Sequence, residues 1–196
     1  MNTTIDYYNQ NAVAYVKSTV NVEFSATQER FLSYLKLGTK ILDFGCGSGR
    51  DAKFFLSKGF SVVATDGSEE FCKMASEYTG IPVQKMLFSE LNSTEEYDGI
   101  WACSSILHLP KSELSDVFGK ILMALKRGGV LYTSFKYGEI EGERRGRFFT
   151  DFTSESFRTF IGEFPKLVII EEWISLDVRP GRGDEKWLNL IIQKKD

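Results

Sequence analysis

Residues 41 to 50 read Ile41-Leu42-Asp43-Phe44-Gly45-Cys46-Gly47-Ser48-Gly49-Arg50. A short apolar run with an acid is followed by glycines at alternate positions, and residues 51–56 then have helical spacing. This order predicts a strand, a tight turn and a helix in immediate succession. Glycine lets the backbone reach positive φ and lets a ligand approach the main chain. The amino end of the following helix can then bind an anionic or polar group.

The spacing of the glycines narrows the kind of ligand. A dinucleotide-binding turn reads G-x-G-x-x-G, which would place the third glycine at position 50. Arg50 stands there instead, and the third glycine comes one residue earlier, at Gly49. The turn therefore indicates a nucleotide-like site that does not suit NAD, or a turn that is glycine-rich only because it is tight.

An acid follows the glycine turn at the separation that nucleotide-binding units show. Asp66 ends another apolar run and comes 21 residues after Gly45. Nucleotide-binding βαβ units place at about this distance an acid that accepts hydrogen bonds from ribose hydroxyls. Asp66 could alternatively cap the next helix, but Ser68 is better placed for that role. Together the two features predict a cofactor that contains a nucleoside.

Composition and charge restrict the class of protein. A length of 196 residues, of which 42% are hydrophobic, predicts one domain. The net charge of −3 predicts no general attraction to nucleic acid or anionic lipid. The beginning of the chain lacks the pattern of a secretion signal, and no apolar run is long enough to span a membrane. Three separate cysteines indicate reduced thiols and a cytoplasmic protein. One histidine and no C-x-x-C pair predict no metal site.

Periodicity along the chain predicts alternating helices and strands. Helices are expected over 4–19, 25–37, 69–78 and about 153–161, and strands over 40–45, 60–66, 81–87, 97–103 and 130–136. Residues 137–150 contain three glycines and three arginines and are predicted to form a flexible polar loop. Two strand-like runs, 167–178 and 186–195, are joined by a short link that includes Pro180, which predicts a hairpin. The last strand should therefore run antiparallel to the others.

The segment D-F-G-C-G-S-G, from Asp43 to Gly49, resembles the first motif of class I S-adenosylmethionine-dependent methyltransferases of the small-molecule type, similar to tellurite-resistance-type and type 11/25 methyltransferase domains. The junction at Gly128-Gly129 and the segment 98–108 also match that family. The resemblance implies an α/β fold, a Rossmann-like three-layer sandwich whose seven-stranded, mostly parallel sheet has an antiparallel C-terminal strand. It implies a single methyltransferase domain over 1–196, with an N-terminal helical lid over 1–37 and a cofactor-binding core with a C-terminal hairpin over 38–196.

The resemblance further implies S-adenosylmethionine as cofactor and S-adenosylhomocysteine as product. The implied cofactor-binding residues are Tyr15, Asp43, Gly45, Cys46, Gly47, Gly49, Arg50, Asp66, Gly67, Leu87, Phe88, Ala102 and Cys103. Leu87 and Phe88 occupy the positions where the family often has an acid for the adenine amino group. Adenine is therefore expected to be held by backbone groups and by contact with Leu87 or Phe88.

Tyr8 and His108 are the candidate catalytic residues, and Lys136 is a further residue expected to face the acceptor. The segment 7–15 loosely fits a tyrosine-rich family pattern that covers the site. His108 is the side chain whose ordinary pKa suits proton acceptance near neutrality, although it could equally pack at the start of a helix. Cys103 lacks the preceding proline of cysteine-using methylases, which favours a buried thiol.

The predicted function is transfer of a methyl group from S-adenosylmethionine to a small molecule, by a cytoplasmic monomer or homodimer without nucleic-acid or membrane partners. Two alternatives stay open: a non-catalytic S-adenosylmethionine-binding module, and methylation of a nucleic acid or protein. The cluster of arginines at 144, 145 and 147 could bind an anionic substrate or could simply be solvated.

Overall fold

A computed structural model describes residues 3–179 and 181–195, so residues 1, 2 and 196, and Pro180 of the predicted link, lie outside the described part. The helices are α1 (Thr3–Thr19), α2 (Ser25–Leu32), α3 (Arg50–Ser57), α4 (Glu69–Thr79), α5 (Lys111–Ala124) and α6 (Ser154–Ile161). The strands are β1 (Lys40–Phe44), β2 (Ser61–Asp66), β3 (Val83–Lys85), β4 (Tyr97–Ala102), β5 (Leu125–Lys136), β6 (Glu141–Arg144), β7 (Arg147–Thr150), β8 (Leu167–Leu176) and β9 (Lys186–Lys194).

Seven strands form one sheet in the order β3-β2-β1-β4-β5-β9-β8. The strands from β3 to β5 pair in parallel, whereas β9 is antiparallel to both β5 and β8. The predicted α/β class, with a mostly parallel sheet and an antiparallel C-terminal strand, is confirmed. Chain order reverses between β1 and β4, which is the point at which open α/β sheets form a ligand crevice.

The sheet is covered on both faces, which explains why β1 is buried almost throughout. On one face, Leu42 and Phe44 belong to a core cluster that includes Phe118 of α5 and Phe157 of α6. On the other face, Ile41 belongs to a cluster that includes residues of α2 and α3. Alternate residues of the same strand thus reach opposite helical layers, and this fixes β1 at the centre.

Two predicted elements are shorter in the structure. The second helix ends at Leu32 rather than at residue 37, because the chain tightens: the N–H groups of Tyr34 and Leu35 donate to carbonyls three residues back. The third strand pairs only over Val83–Lys85 rather than over 81–87.

The prediction of a flexible loop over 137–150 was wrong. Strands β6 and β7 pair antiparallel from Glu141 and Thr150 to Arg144 and Arg147. The turn residues have positive φ, 52° at Arg145 and 77° at Gly146, as in a two-residue type I′ hairpin. Its apolar residues give the hairpin a buried side, since Phe149 is 6% exposed. The glycines and arginines obscured this pattern in the sequence.

None of the helices in the described part of the chain combines the length and the apolar character that crossing a bilayer requires.

Candidate active site at the carboxyl edge of the sheet

A cavity of about 490 Å³ lies at the carboxyl ends of the central strands. Its volume falls within the range of roughly 300 to 1,000 Å³ that small-molecule and cofactor sites occupy. Residues of α1, the β1–α3 turn, the segment after β4, the β6–β7 hairpin and the C-terminal strands all contribute to its wall. The glycine turn and the end of β2 therefore share one cavity with residues from both ends of the chain.

The β1–α3 turn is held close to its neighbours. The N–H groups of Gly45 and Cys46 both donate to the carbonyl of Thr65 at 2.9 Å, which ties the end of β1 to β2. Gly45 has φ +85°, and a Cβ atom there would lie 2.5 Å from Cβ of Ser105. Ser105 is itself fixed, because its Oγ donates to the carbonyl of Phe44 at 2.7 Å. Only glycine fits this position.

Asp66 is the acid at the end of β2. Its Oδ2 accepts from the N–H of Gly47 at 2.9 Å, and its Oδ1 accepts from the N–H of Ser68 at 2.8 Å. Burial raises the pKa of this carboxyl to about 6, although the backbone N–H groups act in the opposite direction. The cap of α4 is Ser68, whose Oγ accepts from the N–H of Phe71. Asp66 therefore does not cap the helix, and its carboxylate lines the cavity.

Helix α1 contributes a tyrosine that pairs with His108. The hydroxyl of Tyr8 lies 2.7 Å from Nε2 of His108, and Nδ1 of His108 lies 2.7 Å from the carbonyl oxygen of Phe148. Because a carbonyl only accepts, Nδ1 carries the hydrogen and Nε2 accepts from Tyr8. Nη1 of Arg147 donates to the same Tyr8 hydroxyl at 3.3 Å. A continuous chain of hydrogen bonds thus crosses the cavity wall.

Burial sets the charge of the Tyr8–His108 pair. It lowers the pKa of His108 to about 4, and the nearby cations Arg147, Arg144 and Lys136 lower it further. Burial also raises the pKa of Tyr8. Both side chains are therefore neutral at pH 7, and the imidazole serves as a hydrogen-bond acceptor for the phenol.

An aromatic cluster surrounds this pair. The rings of Tyr8, Tyr15 and Phe71 are mutually in contact, with centroids 5.3 to 5.5 Å apart. Tyr8 and Tyr15 come from α1 and Phe71 from α4, so the cluster attaches the N-terminal helix to the core beside the cavity.

Most of the residues predicted for the site line this cavity. They are Tyr8, Tyr15, Gly45, Cys46, Gly47, Arg50, Asp66, Gly67, Leu87, Phe88, Cys103 and His108, and Lys136 lines it as well.

Asp43, Gly49 and Ala102 do not line the cavity. Asp43 is 2% exposed, burial raises its pKa, and its Oδ2 has no hydrogen-bond partner among the described residues. A Cβ atom at Gly49 would lie 2.9 Å from Cγ2 of Thr79, so this glycine allows α3 and α4 to approach each other. Ala102 is fully buried in the sheet. Asp43 and Ala102 belong to β1 and β4, where side chains point to the two faces of the sheet rather than beyond its edge.

A second acid, Asp51, was missed by the sequence reasoning and occupies the cavity wall beside Arg50. Nε and Nη2 of Arg50 donate to its two oxygens at 2.7 and 3.0 Å. Nε2 of Gln28 and Nε1 of Trp101 also donate to it, at 2.6 and 2.8 Å. These partners lie 23 and 50 residues away, and no local pattern could have indicated them.

The C-terminal strands contribute a further group that the sequence did not reveal. Arg179 donates to both oxygens of Asp177, and Nε1 of Trp187 donates to the same carboxylate at 3.2 Å. All three residues line the cavity. They reach it only because β9 returns the chain to the carboxyl edge of β5.

The thiols are protonated. Burial raises the pKa of Cys103 to about 12 and that of Cys72 to about 11. The raised pKa argues against Cys103 as a nucleophile, although this thiol is half-buried, rather than fully buried, and lines the cavity. Within residues 3–179 and 181–195, no three His, Cys, Asp or Glu side chains are grouped as metal ligands would be.

Comparisons with known proteins agree with this geometry. Residues 41–129 match the model of the methyltransferase domain family. The chain is 30% identical over 113 residues to YqeM of Bacillus subtilis, whose name calls it a candidate methyltransferase. That match covers 52% of this chain and 45% of YqeM, so the chain spans about half the length of this curated relative.

Two solved structures share the fold over nearly the whole chain. One is the 1,6-didemethyltoxoflavin-N1-methyltransferase of Burkholderia thailandensis, with 1,6-didemethyltoxoflavin and S-adenosylhomocysteine bound. Its TM-score is 0.76 at 19% identity, over 98% of this chain and 85% of that one. The other is the N-methyltransferase NodS of Bradyrhizobium japonicum with S-adenosylhomocysteine, with a TM-score of 0.74 at 15% identity over 100% of both chains.

The resemblance expected from the glycine turn is thereby confirmed: residues 41–129 match the methyltransferase domain model, and the chain around them has the fold of class I S-adenosylmethionine-dependent methyltransferases.

Proposed function

We propose that this protein transfers a methyl group from S-adenosylmethionine to a small molecule. The observation that carries the proposal is the meeting, in one cavity, of a glycine-rich turn and the half-buried carboxylate of Asp66, which are joined by the N–H of Gly47. Nucleotide-binding βαβ units combine these two features. The glycine turn lets the ligand approach the main chain, and the acid accepts hydrogen bonds from the ribose hydroxyls. The solved relatives with S-adenosylhomocysteine bound support the choice of cofactor.

The residues present fit this cofactor. Gly47 has no side chain on the side of the turn that faces Tyr15, where a Cβ atom would lie 3.7 Å from Cε1 of that ring. Asp66 keeps acceptor capacity beyond its two backbone bonds. Asp66 would hold the ribose, and the turn from Gly45 to Gly47 would lie against the methionine portion. Leu87 and Phe88 would contact the adenine ring, since both line the cavity after β3.

When bound, S-adenosylmethionine supplies an electrophilic methyl group: the S–CH₃ bond breaks as the acceptor forms its bond to carbon, and sulfur keeps the electron pair. The protein mainly has to align the acceptor and exclude water. We assign alignment to Tyr8, which His108 holds in place through Nε2. With a pKa of about 4, His108 is a weak base, so its Nε2 orients the Tyr8 hydroxyl and does not hold a released proton at neutral pH.

A small acceptor is favoured by the shape of the site. The cavity is closed over by α1 and by the β6–β7 hairpin, which contact each other: Thr4 Oγ1 accepts from the N–H of Phe148 at 3.0 Å. The relative crystallised with 1,6-didemethyltoxoflavin supports the same size class.

Replacing Asp66 with alanine should weaken S-adenosylhomocysteine binding about tenfold, because charge-assisted hydrogen bonds contribute roughly 1.5 to 3 kcal/mol each. Isothermal titration calorimetry would measure the change. Glu70→Ala removes an exposed acid from the same region and should leave the affinity unchanged. Equal affinity of Asp66→Ala and the parent protein would contradict the assignment of Asp66 to the ribose.

Binding should also depend on pH through Asp66. Its pKa of about 6 in the fold means that the carboxylate is protonated as the pH falls below that value. Since ribose hydroxyls donate to the ionised form, affinity at about pH 5 should be about tenfold lower than at about pH 8. Stability without ligand should change in the opposite direction: a carboxyl whose pKa is raised on folding contributes more stability as the pH falls from about 6 towards 4. A pH-independent affinity, or the same profile in Asp66→Asn, would argue against this role.

Turnover separates an enzyme from a binding module. The protein would be incubated with methyl-labelled S-adenosylmethionine and fractionated cell extract, and label would be followed into metabolites, nucleic acid and protein. We expect label in the metabolite fraction. Binding of S-adenosylhomocysteine without transfer would favour a non-catalytic module, and label in RNA, DNA or protein would identify a macromolecular acceptor.

A further inference from the structure

The basic residues that line the cavity differ in whether they have an acidic partner. Arg50, Lys136, Arg144, Arg179 and Arg182 each pair with a carboxylate. Within residues 3–179 and 181–195, Arg145 and Arg147 line the same cavity but form no ion pair. Arg145 is exposed to solvent at the hairpin turn, whereas Arg147 is half-buried.

Arg147 is held by aromatic rings instead of by an anion. Its guanidinium carbon lies 4.6 Å from the ring centre of Tyr7, 5.0 Å from that of Phe149 and 5.6 Å from that of Tyr8. Its Nε is buried and has no hydrogen-bond partner in the described part of the chain. A partly buried cation without an anion is unfavourable, because the aromatic faces and one phenol replace only part of its hydration.

The acids around Arg147 do not neutralise its charge. Asp151 accepts from both Nη atoms of the adjacent Arg144. Glu113 and Asp116, on α5, line the cavity but are exposed and do not bridge to Arg147. Of the two hairpin arginines without an ionic partner among the described residues, Arg145 is hydrated at the turn, and Arg147 is the half-buried one beside the hydroxyl of Tyr8.

We propose that Arg147 binds an oxoanion group, a carboxylate or a phosphate, of the methyl acceptor. The inference rests on the proposed function and deepens it, because it names the chemical class of the acceptor. The anionic group would contact the guanidinium, and the nucleophile would lie towards Tyr8, which Arg147 and His108 both contact. A planar guanidinium suits either oxoanion, because it can donate two parallel hydrogen bonds.

Arg147 lies where two elements of the cavity wall meet. Arg147 packs on Tyr7 and Tyr8 of α1, while its backbone belongs to β7. An anion at Arg147 would therefore bind where the N-terminal helix and the hairpin meet.

The test uses benzoate and phenyl phosphate as anionic probes and benzamide as the neutral analogue, titrated into the full chain with and without S-adenosylhomocysteine. Binding would be followed by NMR, including the Nε–H resonance of Arg147. We expect one anionic probe to bind about tenfold more tightly than benzamide and to shift that resonance, since charge-assisted hydrogen bonds are the stronger kind. The preferred probe distinguishes a carboxylate from a phosphate.

Arg147→Gln should weaken binding of the preferred probe about tenfold and leave S-adenosylhomocysteine affinity within about twofold. Arg127→Gln is the matched control, because it removes the same charge from a side chain that is 75% exposed and does not line the cavity. It should leave both affinities unchanged.

The proposal is overturned if benzamide binds as tightly as both anions, or if Arg147→Gln keeps the affinity of the parent protein. Should Arg147→Gln fail to fold, the Arg147 resonance in the parent protein decides, and an unshifted resonance at saturation overturns the proposal. Anion binding without any S-adenosylhomocysteine binding would refute the proposed function while leaving the anion site intact, so the two failures are distinguishable.

Discussion

Replacing Gly45 with alanine should abolish measurable S-adenosylhomocysteine binding and destabilise the fold by about 2 to 5 kcal/mol. Two effects add. The residue has φ +85°, which an alanine adopts only with strain, and the new Cβ would lie 2.5 Å from Cβ of Ser105 and 3.2 Å from Cε1 of Phe88. Ser105 cannot retreat easily, because its hydroxyl is bonded to the carbonyl of Phe44.

Gly80 provides the matched control for the backbone strain. It has φ +81° at the end of α4, and a Cβ atom there would meet no atom within 4 Å. Gly80→Ala should therefore lose only about 1 kcal/mol, the cost of the left-handed conformation, and should keep its ligand affinity. Urea denaturation and calorimetry would measure both variants. If Gly45→Ala behaved like Gly80→Ala, close packing at the turn would not be what excludes a side chain.

Asp51→Ala should cost about 3 to 5 kcal/mol of unfolding free energy, because removing one partner of a buried ion pair leaves the other charge uncompensated. The carboxylate, 7% exposed, accepts from Arg50, Gln28 and Trp101. Truncation would leave all three donors without their acceptor. The effect should be seen as a lower midpoint of urea unfolding with little change in slope.

Asp51→Asn tests whether charge or shape matters at this position. The amide keeps one acceptor oxygen for Gln28 or Trp101 but does not neutralise Arg50, so it should lose about half as much stability as Asp51→Ala. Glu69→Ala removes an acid from an exposed pair with Lys85 and should leave the unfolding midpoint unchanged. A loss below about 1 kcal/mol in Asp51→Ala would show that the hydrogen bonds to Asp51 contribute little net stability.

Features that lie close together along the chain were the ones that could be predicted. The turn after β1 and Asp66 lie within one βαβ unit, and their spacing was sufficient to predict that they share a cavity. The flexible loop predicted over 137–150 failed for a different reason. The segment is rich in glycine and arginine, a composition that is usual in irregular structure, so the hairpin turn at Arg145-Gly146 was not predicted. Burial of Phe149 stabilises the two strands of the hairpin.

By itself, the sequence determined the α/β class, the strand-turn-helix at Gly45 and the antiparallel direction of the last strand, because each follows from local periodicity or from the length of one connection. Only the tertiary structure decided which of the cavity's side chains contact one another. Tyr8 and His108 meet across 100 residues, and Arg147 reaches Tyr8 across 139. Whether a charge at such a site is neutralised depends on neighbours brought together by the fold, and no spacing along the chain encodes that.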